Sequence, residues 1–364
     1  MRIFMLWVIF LAPTVASARI WTVDNTPGSG ADSSSLQGLI DQKAANGDTI
    51  IVMPSTVSYG GINLYKKLFI YSRGHSSNTI DKDRTAMINS IYTSYTGSTS
   101  SSGSAIKGLR ILGQVSVYSN NIHFQNCFFD ATVYLSSSNS LIEGCVFYQS
   151  IGFSLVFVVT SPSPSNNIVS HNYFAQILSS GWVSGPNYGF VESGNSTNLI
   201  INNIFAEMEN GGTIAYGGLT YFRSSYAKIY NNILWSNVSK RARFDTLNYG
   251  SVFKNNLTYS HNSAVAKLPG TGNINDTMPV FEGGYSATNL PYYRTNADFR
   301  LKSTSPGKNA GTDSTDVGLY GGGYKFSIVG NVPGVAVFDD FEVLNPVIKK
   351  GTALKVRILA RKPE

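Results

Sequence analysis

The stretch NLIINNIFAE, residues 198–207, decides the fold. It sets two adjacent amides, Asn202 and Asn203, inside an apolar run that otherwise has the composition of a buried strand. Buried amides need hydrogen-bond partners. A stack of equivalent amides would supply those partners, so the pair points to a repeat that recurs elsewhere in the chain.

The same arrangement of an apolar start, a small or amide pair and an apolar or aromatic end occurs six times. The copies are NIHFQNCFF (121–129), SLIEGCVFY (140–148), NIVSHNYFA (167–175), NLIINNIFA (198–206), AKIYNNILW (227–235) and SVFKNNLTY (251–259). Successive copies are offset by 18, 27, 31, 29 and 24 residues. Intervals of this size indicate a solenoid. The alternative is chance, because Asn is frequent in this chain.

A parallel β-helix fits these repeats best. Leucine-rich repeats require a leucine framework that the chain lacks, and the copies lack the 3.6-residue periodicity of helical repeats. Coils of a parallel β-helix stack about 4.8 Å apart, so equivalent residues form ladders. Asn also tolerates the left-handed backbone of a bend between strands. The second members of the six pairs are the predicted structural ladder: Cys127, Cys145, Asn172, Asn203, Asn232 and Asn256.

The composition predicts an exported all-β protein. Charged residues make up 13% of the chain, whereas Tyr and Phe number 21 and 20, which favours strands. Residues 1–18 combine one basic residue, an apolar run and an Ala-Ser-Ala sequence, as a signal peptide does. An uncleaved membrane anchor is the alternative. We expect a secreted, periplasmic or cell-surface monomer, with no transmembrane span after signal cleavage.

The pattern divides the chain into four parts. They are a signal peptide (1–18), an N-terminal cap (19–60), the parallel β-helix (61–328) and a C-terminal β segment (329–364). The cap is predicted to hold a helix over 35–45 and a first strand. Segments 298–311 and 316–324 are predicted to close the C-terminal end of the stack. The pair Asp339-Asp340 is predicted to form a turn between strands of the last segment.

Two long stretches resemble a known superfamily. LQGLIDQKAANGDTIIVMPSTVSYGGINLYKKLFIYSRG (36–74) is similar to the start of secreted right-handed parallel β-helix proteins of the pectate-lyase-like superfamily. DFRLKSTSPGKNAG (298–311) and DVGLYGG (316–322) resemble the end of such proteins from Bacteroidetes-type bacteria. The resemblance covers most of residues 20–325 and implies a right-handed coil. It implies no single activity, because this superfamily hosts many chemistries.

No complete catalytic set or metal site is recognisable in the sequence. Lyases of this superfamily combine acidic calcium ligands with an Arg or Lys base, but Asp130 and Asp245 stand alone among the central coils. We therefore expect no metal and no cofactor, since calcium has no support. Cys127 and Cys145 share one repeat position and are interpreted as two buried thiols. A disulfide is the alternative, because adjacent coils bring Cα atoms into its range.

The candidate binding surface is formed by the longest excursions between repeats, which are predicted to be variable turns. The excursions are 149–166, 176–197, 207–226 and 236–250. Aromatic rings stack on sugar faces, and Arg holds carboxylates in a bidentate fork. The candidate substrate-binding residues are Trp182, Tyr188, Glu192, Glu207, Glu209, Arg223, Lys240, Arg241, Arg243 and Asp245. The alternatives are loop packing for the aromatics and a solvated face for the charges; the catalytic residues are unknown.

Two functions follow from the sequence. The first is binding, and in addition cleavage, of an acidic polysaccharide or cell-surface glycan by a lyase or glycoside hydrolase reaction. The second is a non-catalytic structural or adhesion role. The net charge of +7 suits an acidic partner, although it also suits simple solubility. We expect no nucleic-acid partner, because the chain has neither a basic helix nor an aromatic RNA-binding signature.

Overall fold

The computed structural model describes residues 18–76, 85–94, 100–149, 155–157, 164–178, 190–191, 197–209, 222–223, 226–236, 250–260, 267–285, 297–332, 337–343 and 356–361. Its strands, numbered in chain order, are β1 (Ile20–Val23), β2 (Thr49–Val52), β3 (Gly61–Leu64), β4 (Phe69–Tyr71), β5 (Met87–Ile88), β6 (Ser90–Thr93), β7 (Ala105–Lys107), β8 (Arg110–Ile111), β9 (Val115–Val117), β10 (His123–Gln125), β11 (Phe128–Phe129), β12 (Val133–Leu135), β13 (Leu141–Glu143), β14 (Val146–Gln149), β15 (Leu155–Phe157), β16 (Ile168–Ser170), β17 (Tyr173–Leu178), β18 (Phe190–Val191), β19 (Leu199–Ile201), β20 (Ile204–Glu209), β21 (Phe222–Arg223), β22 (Lys228–Tyr230), β23 (Ile233–Ser236), β24 (Val252–Lys254), β25 (Leu257–Ser260), β26 (Val337–Val343) and β27 (Val356–Arg361). The helices of these ranges are α1 (Leu36–Gln42) and one 3₁₀ turn (Gly321–Gly323).

Three parallel sheets run along the molecule. Sheet 1 has the order β1-β2-β4-β7-β10-β13-β16-β19-β22-β24, sheet 2 the order β5-β8-β11-β14-β17-β20-β23-β25, and sheet 3 the order β3-β6-β9-β12-β15-β18-β21. The chain passes from sheet 1 to sheet 2 to sheet 3 and back, as in β10, β11, β12 and β13. The predicted all-β parallel β-helix is therefore confirmed. No helix in the described ranges is long and apolar enough to cross a membrane.

The N-terminal cap contains the predicted helix in a shorter form. Helix α1 spans Leu36–Gln42, and the Ser35 side chain caps it by accepting a hydrogen bond from the Gly38 N–H. Strand β1 pairs with β2, and β2 pairs with β4, all in parallel. Parallel stacking thus begins at Ile20, earlier than the coil start at residue 61 that the repeat pattern suggested.

The interior of the solenoid is built from columns of apolar side chains. Each central strand of sheet 1 turns its middle residue inward, as Phe124, Ile142 and Val169 do, and these are fully buried. In sheet 2, an inward column of phenylalanines stacks ring on ring with centroid separations of 4.7, 4.5 and 4.7 Å. The members of that column are Phe129, Phe147, Phe174 and Phe205. Repetition of the pattern therefore produces one continuous core.

The paired amides form the corner between sheet 1 and sheet 2. The first member takes the left-handed backbone, with φ of 58° at Asn202 and 56° at Asn231. The second member points inward. Asn203 Nδ2 donates to Asn232 Oδ1 at 3.0 Å, and Asn203 Oδ1 accepts from Asn172 Nδ2 at 3.0 Å. The ladder continues from Asn232 to Asn256 and on to Asn273 (3.1 and 3.0 Å).

The two cysteines occupy the same ladder as free, buried thiols. The Cys127 N–H donates to Cys145 Sγ at 3.4 Å, and the Cys145 N–H donates to Asn172 Oδ1 at 2.8 Å. Burial raises the pKa of the Cys145 thiol. Cys127 and Cys145 are therefore two unbonded thiols, as expected, and do not form the alternative disulfide.

The residues that follow the last coil of the β-helix form a second layer. Residues 267–276 still continue the stack, since Thr271 and Ile274 pair in parallel with Lys254 and Leu257. The outer layer, residues 277–285 and 297–332, lies against the outside of sheet 2, where Tyr173 stacks on Phe299 at 4.6 Å and Trp235 on Phe281 at 5.4 Å. It then runs back along the corner, from Ala310 beside Asn255 to Val329 beside His75. Segments 298–311 and 316–324 therefore cover a side of the stack instead of closing its end. The prediction failed because the outward side of sheet 2 carries apolar residues on six successive strands, from Phe128 to Leu257, and these require a cover.

Strands β26 and β27 form an antiparallel pair with a bulge between Phe338 and Asp340. The short C-terminal β segment is thus present. Asp339 and Asp340 lie inside β26, and the turn predicted at this pair is wrong. The acidic pair is compatible with a strand because the bulge falls at Asp339, which has no partner in the register.

Candidate functional site

The outer face of sheet 1 carries a row of polar side chains in register. The middle residue of each strand points into the core, so its two neighbours face outward. Strand pairing aligns Tyr71 with Lys107, Lys107 with Gln125, and Gln125 with Glu143. Ser170 follows Glu143 in the next coil. We call Tyr71, Lys107, Gln125, Glu143 and Ser170 the polar row; it extends over five neighbouring strands, about 4.8 Å apart.

Hydrogen bonds and burial shape the acidic end of this row. Gln125 Nε2 donates to Glu143 Oε2 at 3.0 Å. Burial is the main influence on the Glu143 carboxyl and raises its pKa, although hydrogen bonds from Gln125 and Ser170 and the charge of Lys107 oppose the rise. Glu143 is thus a carboxyl held in a partly dry environment, and such groups are typical of functional sites.

Lys107 is the cation of the row. Its Nζ lies 5.5 Å from the centre of the Tyr71 ring, a distance that suits a cation–π interaction. Burial lowers the pKa of Lys107, and the nearby Glu143 carboxylate opposes that shift. Lys107 takes no part in the ion pairs found among the described residues. A half-buried ammonium without such a partner favours an anionic ligand.

His123 lies beside the row at the other outward position of β10. Its pKa is lowered to about 4, chiefly by burial and also by the positive charge of Lys107. The imidazole is therefore neutral at neutral pH. Its Nε2 is buried and has no hydrogen-bond partner among the residues that the structure describes. The His123 ring must rotate and expose this atom before it can form a hydrogen bond with a ligand.

Tyr324 of the outer layer closes one side of the row. Its ring stacks on His171 with a centroid separation of 4.2 Å, and its hydroxyl donates to Asn126 Oδ1 at 3.3 Å. Gly144, with φ of +62°, lies beneath that hydroxyl, and a Cβ there would overlap it. Burial raises the pKa of Tyr324, helped by the charge of Glu143. The phenol stays protonated and fixes one edge of the site.

The candidate residues from the long excursions lie mostly beyond the described ranges. Those outside are Trp182, Tyr188, Glu192, Lys240, Arg241, Arg243 and Asp245. Glu207 and Glu209 belong to β20 of sheet 2, in register with Gln176 and Leu178. Arg223 belongs to β21 of sheet 3, opposite Val191. The structure therefore assigns the two glutamates and the arginine to different sheets.

The excursions contain more regular structure than the sequence suggested. Excursions 149–166, 176–197 and 207–226 contain the sheet 3 strands β15, β18 and β21 respectively. Interpreting these three as turns alone was wrong. Short strands of two or three residues have too few alternating positions to show a β pattern in the sequence.

The polar row was missed by the sequence reasoning, although the repeat contains a signal for it. Lys107, Gln125 and Glu143 each stand two positions before the ladder residue of their coil, which is Leu109, Cys127 or Cys145. The first of these coils, AIKGLRI (105–111), lacks an amide and so escaped the motif. Alignment of the repeats by position would have brought the three polar residues into one column.

The described residues offer no group of three or more His, Cys, Asp or Glu side chains that could hold a metal ion. The polar row and His123 present a mixed set of side chains. They supply one ammonium, one carboxyl, one neutral imidazole, one amide and aromatic rings. Such a set can bind an anion and hydroxyl groups, and can accept or release a proton.

Comparison with solved structures finds three similar chains. The crystal structure of pectate lyase Pel9A aligns with 85% of this chain and 97% of its own, with a TM-score of 0.44 and 14% identity. At this level of similarity the likeness carries no argument about function, and the fold rests on the strand pairing above. No family model and no curated protein sequence matches the chain.

Proposed function

We propose that this protein works outside the cytoplasm and binds an acidic polysaccharide along the outer face of sheet 1. The observation that carries the proposal is Lys107, a half-buried ammonium that stands in register with Gln125 and Glu143 on an open sheet face. A ligand carboxylate would give this cation its missing counter-charge. Since the row follows the solenoid axis, it suits a linear polymer that contacts one coil after another.

The surroundings of Lys107 suit a sugar chain. Phe69 and Tyr71, on the neighbouring strand β4, are half-buried rings with centroids 6.5 Å apart. Lys67 Nζ lies 5.7 Å from the centre of the Phe69 ring and adds a second positive charge. Aromatic faces stack on sugars, while His123 and Gln125 offer hydrogen bonds to hydroxyl groups. The net charge of +7 attracts an acidic polymer at low ionic strength.

Eliminative cleavage of the bound polymer is the second candidate function, favoured by the lowered pKa of Lys107. In that reaction, Lys107 acts in its deprotonated form, which burial favours, and takes the proton next to a uronate carboxylate. A carbon–carbon double bond forms in the sugar, and the bond to the glycosidic oxygen breaks. The departing oxygen takes a proton from solvent or from a neighbouring acid. A non-catalytic adhesion role is the competing function.

The test is a screen of the purified mature chain on polygalacturonate, alginate, hyaluronan and chondroitin sulfate. Retardation in affinity gels reports binding, and ultraviolet absorbance reports unsaturated products. We expect retardation by at least one polymer, and a loss of about tenfold or more in affinity for Lys107→Met. Lys302→Met is the matched control, because Lys302 is a partly exposed lysine of the outer layer, away from the sheet 1 face, and the substitution removes the same charge. No retardation by any polymer contradicts the proposal, and binding without product removes cleavage of the polymers tested.

A further inference from the structure

Sheet 3 carries an exposed pair of tyrosines far from the charges of the polar row. Tyr92 of β6 is 47% exposed, and Tyr118, which follows β9, is 41% exposed. Their ring centroids are 5.1 Å apart, with the planes tilted by 46°. The buried tyrosines of this protein, such as Tyr173, pack inside apolar clusters. The exposed pair packs ring against ring, and each residue keeps more than two-fifths of its surface open to solvent.

The backbone beneath the pair is fixed before any ligand arrives. Thr93 is fully buried, and its Oγ1 accepts hydrogen bonds from the N–H groups of Tyr118 (2.9 Å) and Ser119 (3.1 Å). The inward neighbours Ile91 and Val117 are buried in the core. Because the scaffold is rigid and Tyr has few rotatable bonds, contact with these rings costs little conformational entropy.

Polar but uncharged side chains surround the rings. Strand pairing places Asn63 beside Tyr92, and Ser116 between Tyr92 and Tyr134, on one outward column of sheet 3. Gln114 Nε2 donates to Ser116 Oγ at 3.0 Å. Amides and hydroxyls of this kind can exchange hydrogen bonds with a partner that is itself rich in hydroxyl groups.

The sequence around the pair carries no charge. Segments 85–106, 111–122 and 131–142, which supply the strands of this surface, contain no Asp, Glu, Lys, Arg or His. An acidic polymer or a nucleic acid would need cations here, as phosphate and carboxylate contacts require. The absence of any cation in these segments therefore favours an uncharged partner.

We propose that Tyr92 and Tyr118 form a second binding site, which takes an uncharged glycan by stacking sugar rings on the two phenol faces. Amides and hydroxyls of the same column orient the sugar hydroxyls. This site is independent of the acidic-polymer site, because it lies on a different sheet and uses no charged residue. The protein would thereby engage two kinds of polysaccharide at once, and in a matrix that holds both polymers together, binding at one site would raise the effective concentration at the other.

The experiment measures binding of cellohexaose, xylohexaose, mannohexaose and maltohexaose to the full mature chain by titration calorimetry and tyrosine fluorescence. We expect at least one of them to bind, and Tyr92→Ala and Tyr118→Ala each to weaken it at least tenfold. Tyr92→Phe and Tyr118→Phe keep the rings and should stay within threefold of the parent protein. Circular dichroism and thermal melting verify that each variant is folded.

Three outcomes overturn the proposal. One is that none of the four oligosaccharides binds at millimolar concentration. Another is that binding persists unchanged in both alanine variants. The third is that Lys107→Met abolishes binding of the uncharged sugars while Tyr92→Ala preserves it, which would move them to sheet 1. If the protein binds no acidic polymer, the results expected for the tyrosine variants with uncharged oligosaccharides stay the same. The two proposals can therefore fail separately.

Discussion

Sheets 1 and 2 follow the same solenoid, yet their outer faces differ. The outward column of sheet 2 consists of apolar residues such as Val146 and Ile204, and the outer layer covers it with side chains that include Phe299. The central part of the sheet 1 face carries Lys107 and Glu143 and stays open. In each coil, the ladder residue separates a sheet 1 strand from a sheet 2 strand. In the central coils the outward residues of the sheet 1 strand include polar ones, whereas those of the sheet 2 strand are mostly apolar. One face supplies stability, and the other is free to bind.

At the corner between sheets 1 and 2, the two adjacent residues of each pair also have different surroundings. In each pair, the second residue is a ladder member inside the core, as Asn203 is. The first residue faces the outer layer; Asn231, for example, donates to Thr312 Oγ1 at 3.1 Å and accepts from the Thr312 N–H at 2.9 Å. Adjacent amides thus serve different layers, and mutations can separate their roles.

The largest expected effect comes from breaking the inner ladder. Asn203→Ala removes the oxygen that accepts from both the N–H and the side-chain amide of Asn172, and leaves Asn232 Oδ1 without this donor. Since each buried group that loses its partner costs about 1–3 kcal/mol, we expect a loss of roughly 3–6 kcal/mol. Chemical denaturation of the mature chain measures it.

Asn202→Gly is the matched control one residue earlier. Glycine adopts the left-handed backbone of Asn202 without strain, as Gly144 does at the equivalent position. Its cost should be about 1 kcal/mol, because the Asn202 side chain makes one hydrogen bond, from Nδ2 to His171 Nε2 at 3.1 Å, and its buried Oδ1 has no partner among the described residues. Equal losses from the two variants would contradict the division between inner and outer amides.

The second-largest expected effect compares the covered outer face of sheet 2 with the open outer face of sheet 1. Phe299 is 2% exposed and packs on Tyr173 and Phe281, so Phe299→Ala should lower the free energy of unfolding by about 3–5 kcal/mol. Leu199→Ala, on the open face of sheet 1, should cost under about 1.5 kcal/mol because Leu199 keeps solvent contact. A smaller loss from Phe299→Ala than from Leu199→Ala would show that the outer layer does not seal sheet 2.

A third effect appears as pH falls. Burial lowers the pKa of His171 to about 4, while Asp313 opposes the shift weakly, and the unfolded value is about 6.5. Below pH 6.5 the unfolded chain binds a proton that the folded protein excludes, so stability is full above 6.5 and declines towards pH 4. His75 and His123, with pKa values lowered to about 3 and about 4, act in the same direction.

His171→Asn isolates this contribution, because Asn is the residue at the equivalent position in the next three coils. The variant should flatten the decline between pH 6.5 and 4 by on the order of 2 kcal/mol. Denaturant midpoints at half-unit pH steps measure the slope. An unchanged slope would show that His171 is accessible to protons and that Tyr324 does not cover it.

The smallest expected effect belongs to the open face. Glu143→Gln keeps the shape of the side chain and removes its negative charge beside Lys107. Stability should change little at neutral pH, whereas affinity for an acidic polymer should rise by about two- to fivefold at low salt. Chemical denaturation measures the stability, and affinity gels at two ionic strengths measure the affinity and its dependence on salt. Weaker binding by this variant would indicate that Glu143 contacts the ligand as an acceptor.

The sequence contained enough to predict the scaffold, because a buried amide such as Asn203 is stable only when equivalent residues stack on it. The candidate polar row escaped prediction for two physical reasons, while the excursion residues outside the described ranges remain a prediction. Lys107 lies in a coil whose ladder residue is Leu109, so the amide pattern did not reach it. Functional residues were sought in long excursions, where insertions are tolerated, whereas the polar row lies on a regular strand face. Placement of the outer layer needed contacts over long sequence separations, as between Asn126 and Asn331.

The most direct test of the central claim is the dissociation constant of one acidic hexasaccharide, taken from the best polymer in the screen, for three proteins. Calorimetry at low salt compares the parent protein, Lys107→Met and Tyr92→Ala. The account predicts at least tenfold weaker binding for Lys107→Met and an unchanged constant for Tyr92→Ala. Equal constants for the parent protein and Lys107→Met would contradict the assignment of the acidic ligand to the open face of sheet 1.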